Sequence, residues 1–210
     1  LLDLIAQSKI VCPHLHICAQ AGDDEILRRM RRNYDKVCYR DLLQRVRERL
    51  PDAALGSDII VGFPGETDAQ FDMSVEFFAS LPLTYFHVFP FSTRRGTPAA
   101  SMPDLVPAGI KKIRARRMRE LGAQKKRDFC TGFVGRRASV LVETKVDAAS
   151  GLHRGFSRNY LPVAVSGAHG LANREVEVRL DGFQNGWLNG EPVGLDSEFL
   201  ACDRLPADLP

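Results

Sequence analysis

Asp58-Ile-Ile-Val-Gly-Phe-Pro-Gly-Glu-Thr67 is an apolar run that breaks into a glycine-proline turn and reopens as a helix. Ile59-Ile60-Val61 suits a strand covered on both faces, as in parallel sheets. Gly62 and Gly65 allow the backbone to approach a ligand closely, and Pro64 stiffens the turn between them. Thr67 with Gln70 three residues later is a capping box, so the next helix starts at once. In barrel-like α/β folds the loop after the carboxyl end of a strand is where ligands and chemistry sit. Glu66, inside the turn, either orients it or touches the ligand. An ordinary strand-to-helix turn reads the same way, so the flanking segments have to decide.

Those segments repeat the pattern. Leu1 to Ser8 reads as the tail of a helix. His14-Leu-His-Ile-Cys18 is a short strand leading into Ala19-Gln20-Ala21-Gly22. Asp23 or Asp24 caps a helix that carries Ile26, Leu27 and Met30 on one side and arginines on another. A helix from about Lys36 to Leu50 is stopped by Pro51. After the signature strand come a helix near Asp68–Ser80 and a strand, Tyr85-Phe-His-Val-Phe-Pro90. The loop Phe91–Pro98 follows, and then a basic helix from about Pro107 to Phe129. This alternation implies parallel β/α units with the loops 19–22, 62–67 and 91–98 on a common rim. Three strands are too few to close a barrel, so the segment reads as the later half of one.

After about Gly132 the period changes. Ala138–Glu143, Leu161–Val165 and Glu175–Leu180 alternate at period two between glycine-containing turns, and Trp187-Leu188 begins a further strand. Short antiparallel strands over this length suggest a small all-β barrel of the size that OB-like nucleic-acid modules use. The boundary is expected near Gly132–Arg137.

With 210 residues the chain has room for one large or two small domains, and its 44% apolar and 26% charged content is that of a globular protein. No run approaches the roughly 20 apolar residues that span a bilayer, and residence in the cytoplasm is the expectation. The five cysteines (Cys12, Cys18, Cys38, Cys130, Cys202) are scattered, with no Cys-x-x-Cys pair, and read as free thiols rather than metal ligands. Net charge is only +3, but nine Lys/Arg lie between Lys111 and Arg127 against the single acid Glu120, and Arg28, Arg29, Arg31 and Arg32 form a second cluster. Such patches attract polyanions, although many are merely solvated helix faces.

Five stretches together carry a resemblance: Cys12-Pro-His-Leu-His-Ile17, Gln20-x-Gly22, Ile26–Arg32, Ser57–Thr67 and His87–Met102. In order and spacing the chain resembles the C-terminal portion of the radical S-adenosylmethionine tRNA methylthiotransferases. The His87–Met102 stretch is most similar to the branch acting on N6-threonylcarbamoyladenosine next to the anticodon. The resemblance implies an α/β fold: residues 1–132 as the later half of a radical SAM partial TIM-like barrel, residues 133–200 as a small TRAM-like all-β barrel that binds tRNA, and 201–210 as a tail.

It also implies two 4Fe-4S clusters in the full-length enzyme, ligated outside this chain. One cleaves S-adenosylmethionine to a 5′-deoxyadenosyl radical and the other takes part in sulfur insertion. None of the five cysteines here matches a cluster ligand, so the chain alone is expected to hold neither a metal nor a catalytic residue, and to be inactive. The family pattern places Ile60, Gly62 and Phe63 beside the adenine of S-adenosylmethionine, Val88 and Phe89 on its other side, and His16 and Gln20 against its polar groups. His14 and His16 read equally well as strand-end histidines satisfied within the fold. Ala21 stands where the family has a serine, and Cys18-Ala19 replaces a Pro-hydrophobic pair. For an anticodon stem-loop, Arg31, Arg32, Arg94 and Arg95 share the rim, and Arg114, Arg117 and Lys125 would add backbone attraction. In the β-domain, Arg154, Phe156, Arg158 and Tyr160 interleave rings with charge, as loop RNA requires, and read equally as a plain hydrophobic strand with solvent arginines.

The expectation is thus a cytoplasmic, monomeric tRNA-modifying enzyme portion with no membrane partner. Neither the reductant nor the sulfur donor is legible. The alternatives are the isopentenyladenosine branch, a ribosomal-protein substrate, and a tRNA-binding module without catalysis.

Overall fold

The computed structural model describes residues 1–148 and 150–194. The expected tail, the end of the expected second domain and Cys202 lie outside the described residues. The chain divides into two compact units, Leu1–Lys126 and a second beginning at Arg127.

In chain order the first unit contains α1 (Leu2–Gln7), β1 (His14–His16), α2 (Asp24–Arg29), α3 (Lys36–Arg49), β2 (Ala54–Val61), α4 (Asp68–Ser80), β3 (Tyr85–Pro90) and most of α5 (Ala108–Thr131), with a 3-10 turn at Pro98–Ser101. The strands form a parallel sheet in the order β1-β2-β3, with the signature strand at its centre. β1 ends at His16 rather than running to Cys18 as the sequence suggested. Beyond it the chain keeps contact with β2 through an isolated parallel bridge from Gln20 to Ile59, where Gln20 adopts a left-handed φ of 67°.

Capping follows side-chain chemistry. Asp23 accepts from the Glu25 and Ile26 amides, Asp35 from Cys38, and Thr67 with Gln70 closes the reciprocal box at α4.

The two faces of the sheet differ. Leu55, Ile59 and Val61 join Leu43, Val46, Phe71, Phe77, Phe78, Phe86, Val88 and Met118 in one apolar core. Burying Phe78 alone, with none of its surface exposed, contributes about 2–3 kcal/mol. The alternate positions, in register across the strands, place His16, Asp58, Ile60, Tyr85, His87 and Phe89 on the opposite face. That face is polar and aromatic, which a core-packing face would not be.

The second unit is a closed five-stranded barrel in the order β4-β5-β6-β8-β7. Its strands are β4 (Arg137–Val146), β5 (His153–Ser157), β6 (Pro162–Val165), β7 (Glu175–Gln184) and β8 (Trp187–Pro192). Pairing is antiparallel except between β6 and β8. Val140, Val142, Leu161, Val163, Val178, Leu180 and Leu188 fill the interior, with Cys130 and Phe133 packed among them. Asn185 and Gly186, with φ of 52° and 85°, make the tight hairpin between β7 and β8. β5 was not anticipated, because His153-Arg-Gly-Phe-Ser157 has a glycine rather than an apolar side chain at an inward position. A Cβ on Gly155 would lie 2.7 Å from the Leu141 carbonyl oxygen, so the barrel is too tight there for any side chain.

Among the described residues no helix is long and apolar enough to cross a membrane.

Candidate functional site

A cavity of about 510 Å³ opens at the carboxyl ends of β2 and β3. Ile60, Phe63, Phe89 and Phe91 form its apolar walls, Met102 and Ala99 close one side, and Arg29, Arg31, Arg32 and Arg94 stand around it. Phe63 and Phe91 meet edge to face with ring centroids 5.1 Å apart. Phe89 is 49% exposed on a strand whose neighbours Phe86 and Val88 are buried, so its ring is offered to the cavity rather than to the core. An apolar, aromatic-walled cavity ringed by guanidinium groups suits an aromatic ring attached to anionic groups.

The turn that builds this cavity is held from below. The Gly62 amide donates to the Glu66 carboxylate at 2.6 Å, and Gly62 and Gly65 take φ of 71° and 75°, where glycine avoids strain. Arg114 donates to Glu66 Oε2 at 2.8 Å, to the Glu66 carbonyl at 3.0 Å and to Asp68 at 2.6 Å. Burial raises the Glu66 carboxyl above its ordinary range, while the Gly62 amide and Arg114 oppose that rise. Of the two roles open to Glu66, orienting the turn is the one its contacts serve.

Other expected residues fall elsewhere. Val88 is corrected: it is 7% exposed and packs into the helix-side core, because alternation along β3 gives the cavity face to His87 and Phe89. Arg114 is also corrected as a phosphate contact, since its side chain is 6% exposed and bound to two carboxylates. Lys125 donates to the carbonyls of Ala79 in the last turn of α4 and of Leu81 at its C-cap, so its charge is spent on that helix end. Arg117 pairs with Asp72 and lies over Phe71, half exposed. Arg31, Arg32, Arg94 and Arg95 are exposed, and the first two follow α2 while the others sit in the loop after β3.

Gln20 is fixed through its backbone, donating to Asp58 and accepting from Ile60, with its side chain half-buried. His16 Nε2 meets Asp58 Oδ1 at 3.0 Å, and Tyr85 Oη lies 2.7 Å from His14 Nε2 and 3.4 Å from His16 Nδ1. Burial, then the neighbouring His16, lowers the His14 pKa. Asp58, Tyr85, Phe91 and Arg29 lie in stretches that the sequence singled out, but nothing there marked them as site residues. Only pairing β2 with β1 and β3 brings them to the site.

In the barrel, the guanidinium of Arg154 lies 5.0 Å from the centroid of Trp187, and Phe156 is 6.0 Å from the same ring and 6.5 Å from Tyr160. Trp187, which sequence reading treated only as a strand start, thus belongs to the aromatic surface, with Phe156 between it and Tyr160. Arg154 is paired with Asp147 and Arg158 with Glu175. The Arg158 and Ser139 hydrogen bonds lower Glu175 to about 2, and the Arg154 and Ser150 hydrogen bonds lower Asp147 to about 2.

A depressed carboxylate stabilises the fold above its unfolded pKa and loses that contribution as pH falls through the folded value. The barrel is therefore expected to lose thermal stability progressively between about pH 4.5 and pH 2. Trp187 fluorescence melts will register this, and Arg158→Gln is expected to flatten the Glu175 part of the slope. Both carboxylates are partly exposed, so the slope is shallow.

Comparison with known proteins places the chain among relatives. Residues 1–78 match the Radical SAM superfamily. The threonylcarbamoyladenosine tRNA methylthiotransferase MtaB of Rickettsia prowazekii is 38% identical over 163 residues, covering 78% of this chain and 37% of that protein. The chain is a homologue of the radical SAM tRNA methylthiotransferases. The tRNA-2-methylthio-N(6)-dimethylallyladenosine synthases of Pelotomaculum thermopropionicum and Bacillus subtilis are 36% and 32% identical over 90% and 92% of the chain. It spans only 42% and 38% of their lengths.

Enzymes of this superfamily carry iron-sulfur clusters. Among the described residues no set of thiols is gathered that would hold one: the one group of three potential ligand side chains contains a single cysteine. The described residues therefore do not fit a cluster, whereas the cavity offers apolar and aromatic walls.

Proposed function

We propose that this chain is the cofactor- and tRNA-binding portion of a cytoplasmic radical SAM methylthiotransferase that modifies C2 of N6-threonylcarbamoyladenosine beside the anticodon. The observation that carries the reading is the slot between Ile60, Phe63 and Phe89, ringed by Arg29, Arg31, Arg32 and Arg94. Ile60, the Gly62-Phe63 backbone and Phe89 receive the adenine of S-adenosylmethionine. Gln20 faces its polar groups. The arginines take the phosphates of a splayed anticodon loop, where a guanidinium can pair with phosphate or stack on a base. The barrel, read as TRAM-like, adds Arg154, Phe156, Tyr160 and Trp187 as a second RNA surface. These residues bind and orient, which is the protein's usual share when a cofactor carries the chemistry.

The threonylcarbamoyl branch is favoured by the His87–Met102 stretch and by the 38% identity to the Rickettsia protein. The dimethylallyl branch is the second reading, supported by the 36% identity to the Pelotomaculum protein over 90% of the chain.

Nucleoside mass spectrometry of tRNA from a strain lacking the whole gene separates them. The expected result is loss of the 2-methylthio form of N6-threonylcarbamoyladenosine with the isopentenyl species intact. The reverse pattern moves the protein to the other branch. If neither species changes in a strain with no redundant enzyme, the tRNA reading falls.

A further inference from the structure

His16, Cys18 and Asp58 converge on the polar face of the sheet, each offering one ligand atom within 4.8 Å of the others. We propose that these three side chains form a mononuclear transition-metal site, separate from any iron-sulfur cluster and independent of the methylthiotransferase reading. Two of the separations are close to the edges of a coordination shell, each to a different oxygen of Asp58. Tetrahedral zinc bonds of about 2.0–2.3 Å set N···O edges of about 3.3 Å and S···O edges of about 3.5 Å. Here His16 Nε2 lies 3.0 Å from Asp58 Oδ1, and Cys18 Sγ lies 3.6 Å from Asp58 Oδ2.

The backbone that presents these atoms is fixed before any ion arrives. The Ile17 amide donates to the Gly56 carbonyl at 2.9 Å, the Ala19 amide to Ser57 Oγ at 3.0 Å, and the Gln20 amide to the Asp58 carbonyl at 2.9 Å. Tyr39 Oη donates to the Ile17 carbonyl at 2.7 Å and Tyr34 Oη to that of Cys18 at 3.2 Å. The histidine has its outer partner as well, since Tyr85 Oη sits 3.4 Å from Nδ1 and leaves Nε2 facing the site. A hydrogen-bonded second nitrogen is the usual arrangement around a metal-ligating histidine, because it fixes tautomer and ring orientation.

A mixed nitrogen, sulfur and oxygen set selects a borderline divalent ion, Zn²⁺, Fe²⁺ or Co²⁺, over Mg²⁺ or Ca²⁺, which prefer all-oxygen shells. Three protein ligands leave a position open for water or a ligand atom. Asp58 and Ile60 share one face of β2, so that position lies on the cavity side of the sheet. His87 on β3 has its ring 5.7 Å from that of His16 and is a further imidazole beside the group.

The test is titration of the reduced chain with Co²⁺ alone under anaerobic conditions. The expected result is uptake of one ion per chain with a thiolate-to-cobalt charge-transfer band, reversed by Zn²⁺ and untouched by excess Mg²⁺. Cys18→Ser should abolish the band, Asp58→Asn should weaken binding by about 10-fold or more, and Cys38→Ser, on α3, should change nothing. Cys18 is exposed, so its replacement is not expected to disturb folding. Far-UV circular dichroism checks each variant, with His16→Gln as a second probe of the same site. Absence of stoichiometric uptake by the wild-type chain, or a band that survives in folded Cys18→Ser, would overturn the proposal.

Discussion

Replacing Arg114 with methionine is expected to destabilise the N-terminal unit by about 3–5 kcal/mol, because it strands a buried carboxylate. The Arg114 and Glu66 side chains are 6% and 3% exposed, so water cannot take over the lost partner. The two units can be followed separately. The only tryptophan, Trp187, belongs to the barrel, whereas most helical signal belongs to the first unit. In urea, the circular-dichroism transition should move down by about 2 M, while the tryptophan transition stays where it was.

The pH dependence carries its own sign. Glu66 is already raised by burial, with Arg114 holding it down, so removing Arg114 raises it further. A carboxyl raised in the folded state stabilises below its unfolded pKa and loses that contribution as pH rises through the folded value. The deficit of Arg114→Met should therefore shrink in acid and grow toward neutrality. Adding Glu66→Gln should recover part of the loss, because an amide is less costly to bury than an unpaired charge. A methionine variant within about 1 kcal/mol of wild type would mean that the pair does not latch the turn.

The latch explains which parts of the site were legible in sequence. Thr67 with Gln70, and the glycines around Pro64, announce a strand-turn-helix from local chemistry, and the structure ends β2 at Val61 and starts α4 at Asp68, although β2 begins earlier than the Asp58 run, at Ala54. Glu66 lies in the same ten residues, but its partner is 48 positions away, and no periodicity announces such a pairing. Arg114 was hidden among eight other basic residues of α5. Charge counting treats them alike, and only packing separates the buried arginine from its solvated neighbours.

Val88 and Phe89 show the same limit at smaller scale. Both are apolar and adjacent, and which one meets the cavity is set by the register of β3 on β2. In the barrel, alternation revealed the strands that carry valine and leucine. β5 escaped because Gly155 occupies an inward position where the barrel admits no side chain. The His16-Cys18-Asp58 group had no signature either, since its spacing is a product of parallel pairing between β1 and β2 rather than of the chain itself.

The same separation of structural from available charge leads to the other large effect, on RNA binding. With Arg114 buried and Lys125 hydrogen-bonded at the end of α4, the charges left for phosphate near the cavity are Arg29 on α2 and the exposed arginines of the loops. Substituting Arg31, Arg32, Arg94 and Arg95 together by glutamine is expected to reduce affinity for an unmodified anticodon stem-loop on the order of 10³-fold at about 50 mM salt. The argument is counterion release: each phosphate contact contributes about 0.7–0.9 to the slope of log K against log salt, so four lost contacts flatten it by about 3. The four side chains are exposed, so the variant should fold as wild type and retain the cavity walls. Affinity for S-adenosylmethionine should accordingly change little, which separates a lost RNA contact from a damaged site. Arg116→Gln with Arg127→Gln, which removes two exposed charges farther along α5, should flatten the slope by less than half as much. Equal losses from the two sets would show that the attraction is a diffuse property of a basic protein. An unchanged slope in the quadruple variant would remove the loops around the cavity from the RNA interface altogether.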